Sequence, residues 1–466
     1  MFSVRRRGVA RLAAATMVSG LVVAGSIAIA GPAMADGADQ GTGGATATLG
    51  DLKIYDTVEI KDSNREVSAG LFEMAVKPGG FIQTYCIDLY TGAKTGQEYK
   101  EVGWDQSSLH NNKDAGKIRW ILQNSYPQVN DLTSLAAKAG ATQLTEKTAA
   151  AATQAAIWHF SDKVDAVPVN ADAAKLTKFL EEKAVELDEP TASLSLSPSS
   201  VAGKAGSRLG PITVDTNSGT AKVSLAPGAP AGVTVVDKDG KAVTSVADGS
   251  KVYFDVPAGT ADGTAELNVQ ADTTVPIGRA FVATKVKSQT LILAGTSTST
   301  VSAKASASWA KQGVVPSVTA EKNCAKGGVD ITLGNKGDEA WEVDLKGVKY
   351  SIAAGESKTV TVPVAEDEAY KFTITGPNGF EKVIEGVLDC KTATPGPTPS
   401  ETPTDTPSPS QTPATGGTTS GTTGGGDLAE TGSSSATPMI AGIAAALVVV
   451  GGGAIFFLRK KKTAGQ

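Results

Sequence analysis

Apolar side chains recur at every second position in two parts of the chain. Between about residues 314 and 391 the alternation is sharp, in Val329-Ile331-Leu333, Val343-Leu345, Val360-Val362-Val364 and Tyr370-Phe372-Ile374. A weaker form runs from 190 to about 310, in Val233-Val235, Val252-Phe254-Val256 and Leu267-Val269. Because period two is typical of half-buried strands, short strands with turns between them predict a β-sandwich in each region.

The region from about 45 to 188 mixes both periodicities and is predicted to be an α+β domain. Its segment 81–89 is rich in β-branched and aromatic residues, which predicts a strand that contains Cys86. Its alanine-rich segment 145–160 predicts a helix with Thr145 as N-cap and Glu146 in the first turn. At helical spacing one face of this helix is apolar apart from a single amide; it carries Ala150, Ala151, Gln154, Ile157 and Trp158.

The first 35 residues predict a secretory signal peptide. An arginine-rich start is followed by an apolar stretch over 12–30 and by the small-residue cleavage site Ala33-Met34-Ala35. A retained membrane anchor is the alternative, but polar sequence follows the cleavage site at once. The mature chain is therefore expected to begin at Asp36.

The C-terminal end carries three features in order: a pentapeptide, an apolar run over 438–458 and the basic cluster 459–462. A run of about 20 apolar residues is long enough to span a bilayer, so a transmembrane helix with a cytoplasmic basic tail is predicted. A plain anchor would not explain the pentapeptide, which consists of Leu428, Ala429, Glu430, Thr431 and Gly432.

This arrangement resembles the sorting signals read by sortases, in the LAxTG variant of class E enzymes from high-GC actinobacteria. The resemblance implies that the bond between Thr431 and Gly432 is cleaved and that the Thr431 carbonyl is transferred to a cell-wall peptide. The expected location is thus the peptidoglycan of a Gram-positive bacterium, with membrane contact only through the sorting signal before cleavage. Because the second position is Ala429 rather than the commoner proline, the sortase class stays open.

Composition sets further limits on function. The net charge of −5 offers no basic surface for nucleic acid, and two histidines, His110 and His159, argue against a histidine-rich metal site. No metal and no cofactor is predicted. Residues 392–427 consist of Pro, Thr, Ser and Gly with almost no large apolar side chain, which predicts a disordered stalk that spans the wall.

The predicted architecture is multidomain. It comprises a signal peptide (1–35), an α+β head (36–189), two all-β sandwiches (190–312 and 313–391), a stalk (392–427) and the sorting signal with its transmembrane helix (428–466). Both sandwiches resemble the immunoglobulin-like spacers of bacterial surface proteins.

Three cysteines leave one without a partner. Cys324 and Cys390 bracket the second sandwich, and in an oxidising compartment they are predicted to form a disulfide worth about 4 kcal/mol. Two free thiols are the alternative. Cys86 is then the odd cysteine of an exported chain, which requires an explanation.

The segments Thr84-Tyr85-Cys86-Ile87-Asp88-Leu89 and Thr153-Gln154-Ala155-Ala156-Ile157-Trp158 resemble the two motifs of the thioester (TQxA) domain of Gram-positive adhesins. The resemblance covers about 145 residues. It implies that the Cys86 sulfur and the Gln154 side-chain carbonyl are joined in an internal thioester.

The implied chemistry is a single self-reaction followed by capture. A lysine amine of an unknown surface protein attacks the acyl carbon, Cys86 leaves as a thiol and an isopeptide bond remains. Such a protein is not an enzyme but a one-turnover reagent and a sortase substrate. Trp158 is expected to help exclude water, and His159 is a possible proton relay.

Two alternatives remain open at this point. One is a secreted cysteine protease or transglutaminase that uses Cys86 with His110 or His159. The other is a passive surface or spore coat component with a vestigial thioester. The sequence names neither the ligand nor its source, which could be a host, plant, fungus, matrix or neighbouring cell. It also shows no convincing isopeptide arrangement in the spacers.

Overall fold

The computed structural model describes residues 43–393. The predicted signal peptide, nearly all of the stalk and the sorting signal with its transmembrane run lie outside these residues. Within residues 43–393, none of the helices has the length and apolar character needed to cross a membrane.

The helices lie in the first part of the chain, and strands make up the rest. The first part contains β1 (Thr46–Ile60), β2 (Arg65–Lys77), β3 (Phe81–Cys86), β4 (Glu98–Val102), a 3₁₀ turn (Trp104–Gln106), α1 (Ala115–Asn124), α2 (Leu132–Ala139), α3 (Glu146–Ser161), β5 (Ala166–Pro168) and α4 (Ala171–Lys183). Eight strands follow: β6 (Leu194–Ser197), β7 (Ser200–Gly203), β8 (Arg208–Thr216), β9 (Ala221–Leu225), β10 (Thr234–Val236), β11 (Ser245–Val246), β12 (Ser250–Asp255) and β13 (Gly263–Thr273).

The remaining elements are all strands. They are β14 (Ala280–Ala283), β15 (Leu291–Thr296), β16 (Ser299–Trp309), β17 (Pro316–Asn323), β18 (Gly328–Asn335), β19 (Trp341–Leu345), β20 (Val348–Ile352), β21 (Ser357–Pro363), β22 (Ala369–Thr375) and β23 (Glu381–Val387).

The head is built around a seven-stranded sheet in the order β2-β3-β15-β14-β4-β1-β5. Two of its strands, β14 and β15, come from the region that the sequence assigned to the first spacer. The predicted assignment of 190–312 to the spacer is therefore wrong for residues 280–296, because the chain leaves the head after α4 and returns with β14 and β15 to complete its sheet. Alternation alone could not reveal this, since the two strands are buried on both faces and read as continuous apolar runs.

Helix α3 packs on this sheet, against β1 and β2, and is itself covered by α4 and α1. Its start follows from its sequence. The Thr145 side chain accepts a hydrogen bond from the Thr148 amide, and the Thr148 side chain accepts one from the Thr145 amide, which completes a capping box. The helix agrees with the predicted segment, although almost every side chain is buried rather than one face alone.

The strands β6–β13 and β16 form a β-sandwich; β6–β13 are inserted between α4 and β14 of the head, and β16 follows β15. Its two sheets have the orders β10-β12-β8-β6 and β11-β9-β13-β16-β7. Alternating side chains fill the space between the sheets, with Phe254 and Trp309 among the largest that are fully buried. This sandwich and the head share one continuous apolar core.

The last module, residues 316–390, is also all β. Its sheets are β17-β18-β21, β19-β20 and β22-β23, around a core that includes Trp341 and Phe372. Cys324, just after β17, and Cys390, just after β23, form a disulfide with an S–S distance of 2.08 Å. The predicted pairing is thus present in the structure.

A buried ion pair fixes the junction between head and sandwich. The Glu101 carboxylate accepts a hydrogen bond from Arg279 Nε at 3.0 Å and two from Ser193, and its side chain is fully enclosed. Arg279 also pairs with Glu189 at 2.7 Å. Because a buried carboxylate needs compensation, this network ties β4 to the strand that returns from the sandwich.

Candidate functional site

Cys86 is the last residue of β3 and lies opposite Leu291 of β15. Its side chain is buried in the head, in the same apolar cluster as Tyr99, Ala151 and Trp158. It is the one free cysteine of the chain, as the other two are joined. The odd cysteine is thus enclosed at a strand end rather than displayed on the surface.

Gln154 of α3 reaches the main chain of Cys86. Its Oε1 accepts a hydrogen bond from the Cys86 amide at 2.9 Å, and its Nε2 donates to the Cys86 carbonyl at 2.8 Å. Gln154 is fully buried, so this pairing satisfies its amide where no water reaches. The side chain therefore clamps the end of β3 to the helix.

A second glutamine meets the sulfur itself. Gln289 lies two residues before the start of β15, and its Oε1 lies 2.5 Å from Cys86 Sγ. Its Nε2 donates to the Asp88 carbonyl. Tyr99 donates its hydroxyl to the Gln289 carbonyl at 3.1 Å, so both ends of this residue are held. Cys86 Sγ and Gln289 Oε1 thus lie closer together than sulfur and oxygen do in an ordinary non-bonded contact.

This geometry corrects the predicted pair of Cys86 with Gln154. Both polar atoms of the Gln154 amide are engaged with main-chain groups, whereas the sulfur faces Gln289. Sequence reasoning missed Gln289 because it lies 203 residues from Cys86, in the region assigned to a spacer. The one sequence signal for Gln289 is its position just before an apolar strand, and this signal is weak on its own.

Buried carboxyl groups surround the thiol. Burial raises the pKa of Cys86 well above its usual value, and the negative charges of Asp162 and Asp88 raise it further. Burial also raises the pKa of Asp162 to about 7, although the Leu89 amide donates to it at 2.9 Å. The site therefore holds Cys86 as a neutral thiol beside a carboxyl group that exchanges its proton near neutral pH.

The two residues predicted to assist the reaction differ in position. Trp158 is 3% exposed and belongs to the same apolar core as Cys86, consistent with water exclusion. His159 is about half exposed and instead approaches Glu181 at 4.0 Å and Phe160 edge-on. The expected proton relay through His159 is therefore not supported.

The chain's other histidine, His110, pairs with Asn111. In the part of the chain that the structure describes, no hydrogen bond joins either histidine to Cys86. The Cys–His pair of a cysteine enzyme is thus not formed there.

Comparisons with known proteins agree with this site in part. Residues 83–186, which include Cys86 and Gln154, match the family model of the thioester domain. Gln289 lies outside the matched segment. Residues 316–387 match the model of the C-terminal domain of bacterial phospholipase C. No curated protein sequence matches the chain.

Two solved structures are similar at low identity. The Bacillus anthracis TIE protein is 18% identical over 74% of this chain, with a TM-score of 0.27, and the chain covers 64% of its length. The thioester domain of the Enterococcus faecium TIE86 protein is 20% identical over 58% of this chain and 98% of its own, with a TM-score of 0.28. Scores this low carry no argument about function.

Proposed function

We propose that this chain is a covalent surface adhesin whose internal thioester joins Cys86 to Gln289. The observation that carries the proposal is the 2.5 Å approach of Cys86 Sγ to the Gln289 carboxamide in a buried site. The match of residues 83–186 to the thioester domain supports the same chemistry.

Thioester formation needs no external reagent. The Cys86 sulfur adds to Cδ of Gln289, the C–N bond of the carboxamide breaks, and the nitrogen leaves as ammonia after taking up the thiol proton. Gln154 holds the main chain of Cys86 while Tyr99 and Asp88 hold Gln289. Fixing both reactants in contact removes much of the entropic part of the barrier.

The proton must travel because the thiol is neutral. Asp162, whose pKa is raised to about 7 by burial, is the group best suited to accept it and pass it on. Its second oxygen accepts a hydrogen bond from the Ser161 hydroxyl at 2.7 Å, which keeps the carboxyl group in place.

The second step captures a partner. A lysine amine attacks Cδ of Gln289, the C–S bond breaks, and Cys86 leaves and recovers a proton from the amine. The product is an amide between Gln289 and the partner. Since non-covalent affinities saturate at about −20 kcal/mol, a covalent link gives a durability that contacts alone do not reach. The reaction occurs once per molecule, so the chain is not a turnover enzyme.

Display on the cell surface is the second element of the proposal. It rests on the signal peptide, the stalk and the pentapeptide ending in Thr431-Gly432, which lie outside the described residues except for the first two residues of the stalk. A class E sortase would join Thr431 to the wall peptide, and the ligand is a protein that presents a lysine. Thr431→Ala is expected to shift the protein from the wall fraction to membrane or medium. Its continued release with muramidase-solubilised wall fragments would overturn the sorting assignment.

Amine labelling tests the chemical core of the proposal. Methylamine should add to the purified mature chain, free one thiol at Cys86 and appear on the peptide that contains Gln289. Gln289→Glu should not react with methylamine and should show a free Cys86 thiol from the start, because a carboxylate is a poor acyl donor. Labelling of Gln154 instead would show that the thioester joins Cys86 to Gln154, the pair expected from the sequence.

Two other results would point to different functions. A Cys86 thiol that alkylates before any amine is added indicates a passive coat protein. Repeated turnover of an amide substrate indicates a cysteine enzyme.

A further inference from the structure

The last module returns to the head beside the reactive pair. After β23 the chain continues as the segment 388–393, here called the strap, which passes Asp88 and Thr290. These two residues adjoin the site directly: Asp88 follows Cys86 by two positions, and Thr290 follows Gln289. The strap therefore lies at the edge of the thioester site.

The strap is held rigidly to its own module. The Leu388 amide donates to the Glu368 carbonyl at 3.1 Å, and the Cys390 disulfide joins the strap to the end of β17. The Glu366 carboxylate accepts hydrogen bonds from the amides of Cys390 at 2.6 Å and Lys391 at 2.8 Å. The strap and the module should thus move as one body.

Three polar contacts fasten this body to the head. The Ala393 amide donates to Asp88 Oδ1 at 3.0 Å, and the Thr290 hydroxyl donates to Asp389 Oδ2 at 2.6 Å. Lys287, two residues before Gln289, pairs with Asp367 at 2.5 Å. All three head residues flank Cys86 or Gln289 in sequence, while both reactive side chains are only 5% exposed.

We infer that the last module is a cap which closes the Cys86–Gln289 site until a partner displaces it. This inference rests on the proposed function and concerns its regulation. With the module in place a large amine cannot bring its nitrogen to Cδ of Gln289, so a protein lysine reacts only from the open state. The closed state protects the acyl group from water in the meantime.

The contact between the last module and the head is suited to opening. Its polar part consists of two hydrogen bonds and one ion pair. It brings Asp389 near Asp88, Asp367 and Glu366, with Lys287 as the counter-charge. Oδ1 of Asp389 is buried without a hydrogen-bond partner. Crowded carboxyl groups oppose closure, so a modest change in charge should shift the balance between closed and open states.

The test compares a small and a large amine on the full mature chain. Methylamine and a polyethylene glycol with one terminal amine are added separately, and the mass gain is followed over time. The wild type should react far more slowly with the polymer. Lys287→Glu, which adds a fifth acid to the cluster, should raise the polymer-to-methylamine rate ratio by at least about tenfold. Lys285→Glu makes the same charge change on an exposed neighbour and should leave the ratio unchanged.

A second variant removes a different contact. Ala393→Pro lacks the amide that donates to Asp88 and should also raise the ratio, whereas Ala393→Gly keeps the amide and should not. A wild-type ratio near one, or ratios in Lys287→Glu and Ala393→Pro equal to those of their controls, would overturn the cap.

Failure of the thioester itself gives a different result. If the wild type shows its full mass and a free Cys86, the thioester is absent and the proposed function fails. The cap is then read from alkylation of Cys86 by a small maleimide and by a polymer-linked maleimide in the same variants. A polymer rate that stays low in the wild type and rises in Lys287→Glu supports the cap; equal rates refute it.

Discussion

Truncation of Gln154 separates its structural role from a chemical one. Gln154→Ala removes one hydrogen bond accepted from the Cys86 amide and one donated to the Cys86 carbonyl. Each buried main-chain group left without a partner costs about 1–3 kcal/mol, so the variant should lose about 2–6 kcal/mol of local stability. The measurement is made in a Cys86→Ala background, in which no thioester can form and only the hydrogen bonds differ.

Hydrogen exchange at the amide of residue 86 reports this loss directly. A cost of 2 kcal/mol corresponds to exchange faster by roughly 30-fold. Gln128→Ala is the matched control, because Gln128 makes one partly buried hydrogen bond, to the Ala294 carbonyl. Its effect should stay near 1 kcal/mol and should not reach residue 86. Exchange at residue 86 that is unchanged in Gln154→Ala would refute the clamp.

Three further predictions concern stability. Burial raises the pKa values of Asp162, Glu181 and Asp389 to about 7, above their unfolded values of about 4. The stabilisation that these groups give is complete below the unfolded pKa and is lost as the pH rises through the folded pKa, so Tm should fall between about pH 4 and pH 7, less steeply in Asp389→Asn. Arg279→Ala leaves Glu101 buried and uncompensated and should cost about 3–5 kcal/mol in urea unfolding, against less than about 1 kcal/mol for exposed Lys371→Ala. Reduction of the Cys324–Cys390 disulfide should lower the stability of the last module by about 4 kcal/mol, with no such effect of reductant on Cys324→Ala plus Cys390→Ala.

Local features of this chain could be predicted from the sequence. The capped helix α3, the strand that ends at Cys86 and the alternating strands of the last module each depend on neighbouring residues, so propensity and periodicity suffice. The Cys324–Cys390 pairing followed from compartment and cysteine number.

The partner of the sulfur could not be predicted in the same way. Gln289 reaches Cys86 only because the chain returns to the head sheet after the sandwich strands β6–β13, and that return is a property of the sheet order rather than of any local pattern. Gln154 looked more reactive because it is the one amide among apolar neighbours. In the structure the buried Gln154 amide is hydrogen-bonded to the main chain of Cys86, which a helical projection does not include. His159 follows Trp158 directly, but successive helix positions diverge, and of the two only Trp158 belongs to the apolar core that contains Cys86.

The intact mass of the purified mature chain tests the thioester most directly. The account predicts that the wild type and Gln154→Glu are each lighter than their sequences by one ammonia, since Gln154 is not the acyl donor. Cys86→Ala and Gln289→Ala should show their full calculated masses. A wild type at full mass, or an ammonia loss that persists in Gln289→Ala and disappears in Gln154→Glu, would contradict the assignment of the bond to Cys86 and Gln289.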